Sequence, residues 1–140
     1  MASVNKWYLA GPMTGIAQFN FPEFDEAAAN LRKKGYEIVS PAEMDNEETR
    51  AAAMASPDGA PDTSGPTWGD FLARDVKLIA DDVQGVILMP DWHLSRGARL
   101  EAFVAILCGH QFLAYSSVYK SPYGIGIADV KEKIWIYLED

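Results

Sequence analysis

The sequence has one cysteine, two histidines, and twelve basic residues against twenty acidic ones. A single cysteine, Cys108, excludes an intramolecular disulfide and a cysteine metal cluster, and its apolar neighbours predict a buried packing residue. His93 and His110 have no companions at metal-ligand spacing, so we expect neither a metal nor a cofactor. The net charge of −8 repels a phosphodiester backbone, which argues against a nucleic-acid polymer as partner.

Long apolar runs and targeting signals are also missing. No stretch reaches the roughly 18 apolar residues of a membrane span, and Met1–Lys6 lacks the basic and apolar parts of a signal peptide. We therefore expect a cytoplasmic protein with no membrane partner. The length of 140 residues, with 49% hydrophobic and 23% charged residues, predicts one globular domain spanning 1–140 with a single core.

The sequence does contain a regular alternation of strand-like and helix-like segments. The predicted strands are Val4–Ala10, Tyr36–Val39, Val83–Met89 and Gln111–Tyr115, and the predicted helices are Phe21–Lys34, about Phe71–Ala80 and about Gly97–Leu107. This order predicts an α/β fold, a single-domain Rossmann- or flavodoxin-like three-layer sandwich with a mostly parallel sheet of four or five strands. For Ile127–Leu138 the pattern leaves helix and strand open.

The segment Asp45–Thr67 differs in character, because it carries three prolines, two glycines and five acidic residues without sustained periodicity. A loop of this length in a compact domain is usually functional or mobile. We expect either an active-site lid or a surface insertion, with a short helix around Glu47–Met54.

Ligands of open parallel sheets bind beyond the carboxyl ends of the strands. The predicted central strand ends at Met89. The segment that follows it, which includes Asp91, is therefore one place where a ligand is expected to bind. There Ser95 can cap the following helix, and Gly97 lets the backbone approach a ligand closely. Free N–H groups in the first helical turn favour an anion, and Arg96 or Arg99 can add positive charge.

Two carboxylates and one tyrosine are candidates for chemistry. Glu101 lies about one turn into its predicted helix, where it can serve as a nucleophile or merely complement the helix dipole. Asp75 lies in the middle of a predicted helix and faces either the cleft or solvent. Tyr8 either points into the cleft, where it can orient a carboxylate, or packs in the sheet. Two carboxylates about 5 Å apart are the pair that a retaining glycosyl transfer uses.

Together these segments resemble the nucleoside 2-deoxyribosyltransferase superfamily over roughly Lys6–Ala114. The resemblance rests on YLAGP in the first strand, LRxxG at the end of the first helix, VxPAE after the second strand, RD in a helix, and SxGAxxE after the central strand. The chain looks most like a small, often phage- or prophage-encoded branch, and it is similar to the deoxynucleoside 5′-monophosphate N-glycosidases.

The resemblance implies roles for individual residues. Glu101 would be the nucleophile at C1′ of a (deoxy)ribose, Asp75 the acid/base group near the departing base, and Tyr8 the residue that positions the glutamate. Several relatives carry a glycine where Arg99 stands. The substrate-binding residues would be Gly11, Pro12 and Met13 after the first strand and Asp91, Ser95, Arg96 and Gly97 after the central strand.

The expected function is cleavage or transfer at the N-glycosidic bond of a nucleoside or its 5′-monophosphate, through a glutamyl-glycosyl intermediate. Relatives suggest a homodimer or a larger homo-oligomer. One alternative is a non-catalytic protein that binds or sequesters a nucleotide, and another is a structural or interaction module. The sequence leaves open the base, the sugar, and whether water or a second base accepts the glycosyl group.

Overall fold

The computed structural model describes residues 5–60 and 65–138. Its five-stranded sheet has the order β2-β1-β3-β4-β5, parallel throughout except for the antiparallel pair β4–β5. This is the flavodoxin-like strand order with an antiparallel edge strand. The strands are β1 (Lys6–Ala10), β2 (Glu37–Val39), β3 (Gly85–Leu88), β4 (Gln111–Ser116) and β5 (Ser121–Gly124).

Helices cover both faces of the sheet, which confirms the predicted α/β three-layer sandwich. Helix α1 packs on one face, and α3, α4 and α5 pack on the other. Short 3-10 turns occur at Ala17–Asn20, Pro41–Glu43 and Trp92–Leu94. The helices are α1 (Phe21–Lys33), α2 (Glu47–Met54), α3 (Trp68–Asp82), α4 (Arg96–Leu107) and α5 (Ile127–Leu138).

The side-chain alternation of β1 determines which residue lies beneath the helices. Successive residues of a strand point to opposite faces, so Trp7 and Leu9 join the core under α1. Tyr8 and Ala10 join the core under α3 and α4. Tyr8 is completely buried. The strand period therefore places a tyrosine hydroxyl under the two helices that carry the candidate carboxylates.

The helices α3 and α4 turn acidic residues towards the sheet. Asp75 and Ile79, four positions apart, are the buried residues of α3. Glu101 shares the buried side of α4 with Ala98 and Ala102, at the three- and four-residue spacing of one helix face. Carboxylates rarely occupy such buried stripes without a partner, so their position points to a site rather than to ordinary packing.

Two sequence expectations need correction or completion. Cys108 was expected to be buried but is exposed, because it follows the last residue of α4, where the chain turns away through Gly109 at φ 72°. The undecided segment Ile127–Leu138 is helix α5, and an extra antiparallel strand, β5, precedes it.

Val4, at the start of the first predicted strand, lies outside the described residues. Among the described helices, none is long and apolar enough to cross a membrane.

The described part of the segment 45–67 is folded against the turn that follows β1. Helix α2 has the predicted bounds, and its N-cap Asn46 accepts a 2.8 Å hydrogen bond from the Thr49 N–H. Backbone hydrogen bonds join Gly15 to Gly59 and Gln18 to Ser56. Residues 61–64, which the predicted lid or insertion includes, lie outside the described residues.

Candidate active site

A cleft of about 1430 Å³ opens at the carboxyl ends of β1 and β3. All seven residues predicted to bind substrate line it, and so do Asp75 and Glu101. Tyr8 lies below the cleft surface, against Glu101. The substrate-binding residues in the lining are Gly11, Pro12, Met13, Asp91, Ser95, Arg96 and Gly97.

Glu101 is held by Tyr8 at the base of this cleft. The Tyr8 hydroxyl donates a 2.6 Å hydrogen bond to Oε2 of Glu101, whose exposed fraction is 6%. Helix α4 begins at Arg96, so Glu101 lies beyond the first turn, to which the effect of the helix dipole is largely confined. The geometry thus favours a carboxylate positioned for a ligand over one that complements the dipole.

Asp75 reaches the same place from α3. Its exposed fraction is 8%, it lines the same cleft as Glu101, and its charge raises the pKa of that glutamate. Of the two orientations left open for this aspartate, the structure has the cleft-facing one. The fold therefore brings together Tyr8, Asp75 and Glu101 from three separate segments, as the resemblance implied.

Burial dominates the electrostatics of the three groups. It raises the pKa of Glu101 well above the ordinary value, and the neighbouring charge of Asp75 raises it further. Burial also raises the pKa of Asp75, against the opposing effect of the Arg74 guanidinium. Burial and the charge of Glu101 raise the pKa of Tyr8, so its hydroxyl stays protonated and available as a donor.

Because both groups are buried and the charge of Asp75 raises the pKa of Glu101, ionising one carboxyl group disfavours ionisation of the other. Such a pair contains one ionised oxygen that can attack a carbon and one acid that can protonate a leaving group. This is the combination of groups required to replace a nitrogen substituent at an acetal carbon.

The pair extends to Arg74 and Asp45, which were not among the site residues predicted from the sequence. Arg74 Nε donates to Asp75 Oδ1 at 2.9 Å, and Arg74 Nη1 donates to Asp45 Oδ1 at 2.6 Å. The adjacent Arg-Asp motif was visible in the sequence. Asp45, 29 positions away from Arg74, has no local signal that links it to that motif.

The first turn of α4 forms the candidate anion-binding end of the cleft. Ser95 caps the helix as predicted, accepting a 3.1 Å hydrogen bond from the Ala98 N–H. The N–H groups of Arg96 and Gly97 have no partner within a helix that starts there. A Cβ built on Gly97 would meet only Ser95 Oγ, at 3.9 Å, so the backbone is open to a ligand.

Arg96, and not Arg99, adds positive charge to this end. The Arg96 guanidinium lies 5.9 Å from the centre of the Trp68 ring, at the cleft wall. Among residues 5–60 and 65–138 no carboxylate pairs with Arg96. Arg99 instead donates to the carbonyl of His93 at 2.8 Å and does not line the cleft.

The two histidines lie outside the cleft lining. His93 packs against the ring of Tyr137 at 5.0 Å, and His110 contacts the carbonyl of Ile79 at 2.6 Å. In the part of the chain that the structure describes, no group of three His, Cys, Asp or Glu side chains could hold a metal ion.

The fold and the site define an α/β protein with a buried carboxyl pair at the ligand-binding edge of a parallel sheet. The family described as a domain of unknown function, DUF4406, matches residues 5–114, which include every candidate site residue. The chain belongs to this family. Neither the curated proteins nor the solved structures gave a match.

Proposed function

We propose that the protein breaks the N-glycosidic bond of a nucleoside 5′-monophosphate or of the corresponding nucleoside, with Glu101 as the nucleophile. The observation that carries the proposal is the buried arrangement of Tyr8, Asp75 and Glu101, with the 2.6 Å hydrogen bond between Tyr8 and Glu101. A catalytic carboxylate needs a fixed orientation and a proton donor nearby, and this arrangement supplies both.

The reactive form of the pair has Asp75 protonated and Glu101 ionised; it is a minor form in the free protein, because burial raises the pKa of Glu101 further than that of Asp75. A carboxylate oxygen of Glu101 attacks C1′ while the bond from C1′ to the base nitrogen breaks, and its electron pair stays with the base. Asp75 gives its proton to the departing base. Water or a second base then attacks C1′ of the glycosyl ester, Asp75 takes the proton of the attacking group, and Glu101 is released.

The cleft supports a phosphorylated substrate. Arg96, the open backbone at Gly97 and the Ser95 hydroxyl converge at the start of α4. Helix N-termini with an adjacent arginine suit a phosphate group, which matches the role that the resemblance to deoxynucleoside 5′-monophosphate N-glycosidases implies. The 5′-monophosphate is therefore expected to be a better substrate than the free nucleoside.

The outer side of α4 supports the expected homodimer or larger homo-oligomer. Leu100, Phe103 and Leu107 are exposed and recur every three or four residues along one side of the helix. Exposed apolar stripes of this kind are typical of association surfaces. The cytoplasmic location stays a prediction.

The proposal is tested by incubating the protein with a panel of nucleosides and 5′-monophosphates and measuring free base by chromatography. We expect base release by the wild type and its loss in Glu101→Gln, while Glu132→Gln, at an exposed position on α5, releases base normally. Mass spectrometry of the acid-quenched reaction should find the glycosyl adduct on the peptide that contains Glu101.

The outcome also separates the alternatives. Saturable binding of a nucleotide without any base release would contradict the enzyme and support a non-catalytic nucleotide-binding protein. No binding to any member of the panel, measured by calorimetry, would leave only the structural or interaction module.

A further inference from the structure

Side-chain contacts, in addition to the backbone of helix α3, fix the position of the Asp75 carboxyl group. Its Oδ1 accepts a 2.9 Å hydrogen bond from Nε of the neighbouring Arg74, and a second guanidinium nitrogen of Arg74 donates to Asp45 at 2.6 Å. The side chains of Asp45 and Asp75 are only 8% and 12% exposed, and that of Arg74 is 28% exposed. These contacts are therefore largely shielded from water, unlike surface ion pairs.

The far end of this chain of contacts is also fixed. Asp45 directly precedes Asn46, whose side chain caps helix α2. The guanidinium of Arg74 additionally lies over the ring of Phe71, at 5.4 Å from its centre. Because a guanidinium is planar with its donors in a rigid fork, contacts on two edges and one face leave it little rotational freedom.

We propose that Arg74 is a positioning residue, locked by Asp45, which holds the Asp75 carboxyl group in place beside Glu101 for the proton transfer. This inference rests on the proposed function and extends it to two further residues, Arg74 and Asp45, which line the same cleft. It also assigns a purpose to the start of the segment 45–60, which would act as a brace for the acid/base group.

The charged and titratable groups around Asp75 come from four elements. They are Arg74 on α3, Asp45 before α2, Tyr8 on β1 and Glu101 on α4. The positive charge of Arg74 lowers the pKa of both Asp75 and Glu101. Loss of that charge is therefore expected to shift the titration of the carboxyl pair to higher pH.

The test compares variants of the whole protein by kinetics and by NMR titration of ¹³C-labelled carboxyl groups. Arg74→Gln should lower kcat for base release by roughly 10- to 100-fold, the range for a lost hydrogen bond to a charged group, with little change in KM. It should also move the titration of Asp75 and Glu101 upwards in pH. Arg32→Gln is the matched control, since Arg32 pairs with Glu43 outside the cleft.

Two further variants separate positioning from charge. Arg74→Lys keeps the positive charge but not the planar guanidinium with its two donor edges. The titration of Asp75 and Glu101 should therefore stay close to that of the wild type, while kcat should still fall. Asp45→Asn retains a hydrogen-bond acceptor for Arg74, so it should lose less kcat than Asp45→Ala. These variants also carry the test if Arg74→Gln fails to fold.

The inference is overturned if Asp75 and Glu101 titrate at the same pH in Arg74→Gln as in the control Arg32→Gln. It is also overturned if Arg74→Lys has the kcat of the wild type. Absence of base release from the wild type would instead contradict the proposed function. The NMR titration would still decide in that case whether Arg74 controls the carboxyl pair.

Discussion

The hydroxyl of Tyr8, on β1, donates a 2.6 Å hydrogen bond to Oε2 of Glu101, on α4, across 93 positions of sequence. Tyr8 has no exposed surface, so it cannot be a ligand contact of the open cleft. It acts from below the site, where a neutral hydroxyl can stabilise the ionised form of a buried carboxylate without adding charge.

Replacing Tyr8 by Phe removes this donor and keeps the ring. The hydrogen bond from Tyr8 lowers the pKa of Glu101, so its loss should raise that pKa and move the acidic limb of the kcat/KM profile to higher pH. At neutral pH we expect a roughly 10- to 100-fold loss of kcat/KM, the range for a hydrogen bond to a charged group. A pH–rate profile measures both effects, and an unshifted acidic limb would remove Tyr8 from the proposed role.

Glu101→Gln should stabilise the fold increasingly as the pH rises. Burial raises the pKa of Glu101 in the folded protein, so above about pH 4 the native state binds more protons than the unfolded chain and stability falls with pH. The glutamine has no such proton to lose. Thermal unfolding at pH 4.5 and pH 8 should show a larger gain in Tm at pH 8, and Glu132→Gln is the exposed control. A gain independent of pH would contradict the raised pKa of the buried Glu101.

Two glycines of the cleft should respond to alanine in opposite ways. A Cβ at Gly97 meets nothing closer than 3.9 Å, so Gly97→Ala should leave the free energy of unfolding unchanged or raise it by about 0.4–1 kcal/mol. The added methyl group should nevertheless obstruct the candidate anion-binding end of the cleft and raise KM. A Cβ at Gly11 would lie 2.8 Å from Met89 Cβ, so Gly11→Ala should lower the free energy of unfolding. Urea unfolding and KM measurements on both variants check this contrast; a Gly97→Ala protein with wild-type KM would remove Gly97 from the ligand site.

Ser95 has two proposed roles that a matched cap can separate. Ser95→Ala and Thr67→Ala each remove an N-cap side chain, of α4 and α3 respectively, and each should cost about 1 kcal/mol. Thr67 does not line the cleft. Only Ser95→Ala is therefore expected to raise KM. Equal KM values for the two variants would show that Ser95 caps helix α4 and does not contact the substrate.

Arg96→Gln should weaken binding of a 5′-monophosphate and leave binding of the free nucleoside nearly unchanged. In the proposed function its guanidinium pairs with the phosphate, and among the described residues no carboxylate forms an ion pair with it. Lys77→Gln, which removes an exposed charge paired with Asp81, controls for the change in net charge. Calorimetry with both ligands distinguishes a phosphate contact from a general effect on the cleft, which would weaken both ligands.

Local patterns were sufficient to predict much of the fold. The period of two in β1 and the spacing of apolar residues in α1 and α3 follow directly from burial of one face, and the bounds of α2 agreed with the structure. The sequence did not distinguish helix from strand for Ile127–Leu138, because α5 buries few of its residues, chiefly Val130 and Ile134. Trp135 and Ile136 are apolar but exposed, so the apolar positions do not mark one buried face.

The candidate site was predictable only in part, for a physical reason. Its placement at the carboxyl ends of the strands follows from the alternation of strands and helices, and the same alternation brings Glu101 near Tyr8. The contact between Arg74 and Asp45 depends instead on how the chain after β2 packs, and no periodicity records that. The exposure of Cys108 likewise depends on where α4 ends rather than on its apolar neighbours.

In the proposed function, the raised pKa values of Asp75 and Glu101 have a consequence for inhibitors. A sugar mimic with a protonated ring nitrogen, such as an iminosugar, would compete for these two carboxyl groups with the proton that they hold. Its binding should therefore tighten as the pH rises towards the pKa of the ring nitrogen. Calorimetry in buffers of different ionisation enthalpy would register the proton that the carboxyl pair gives up.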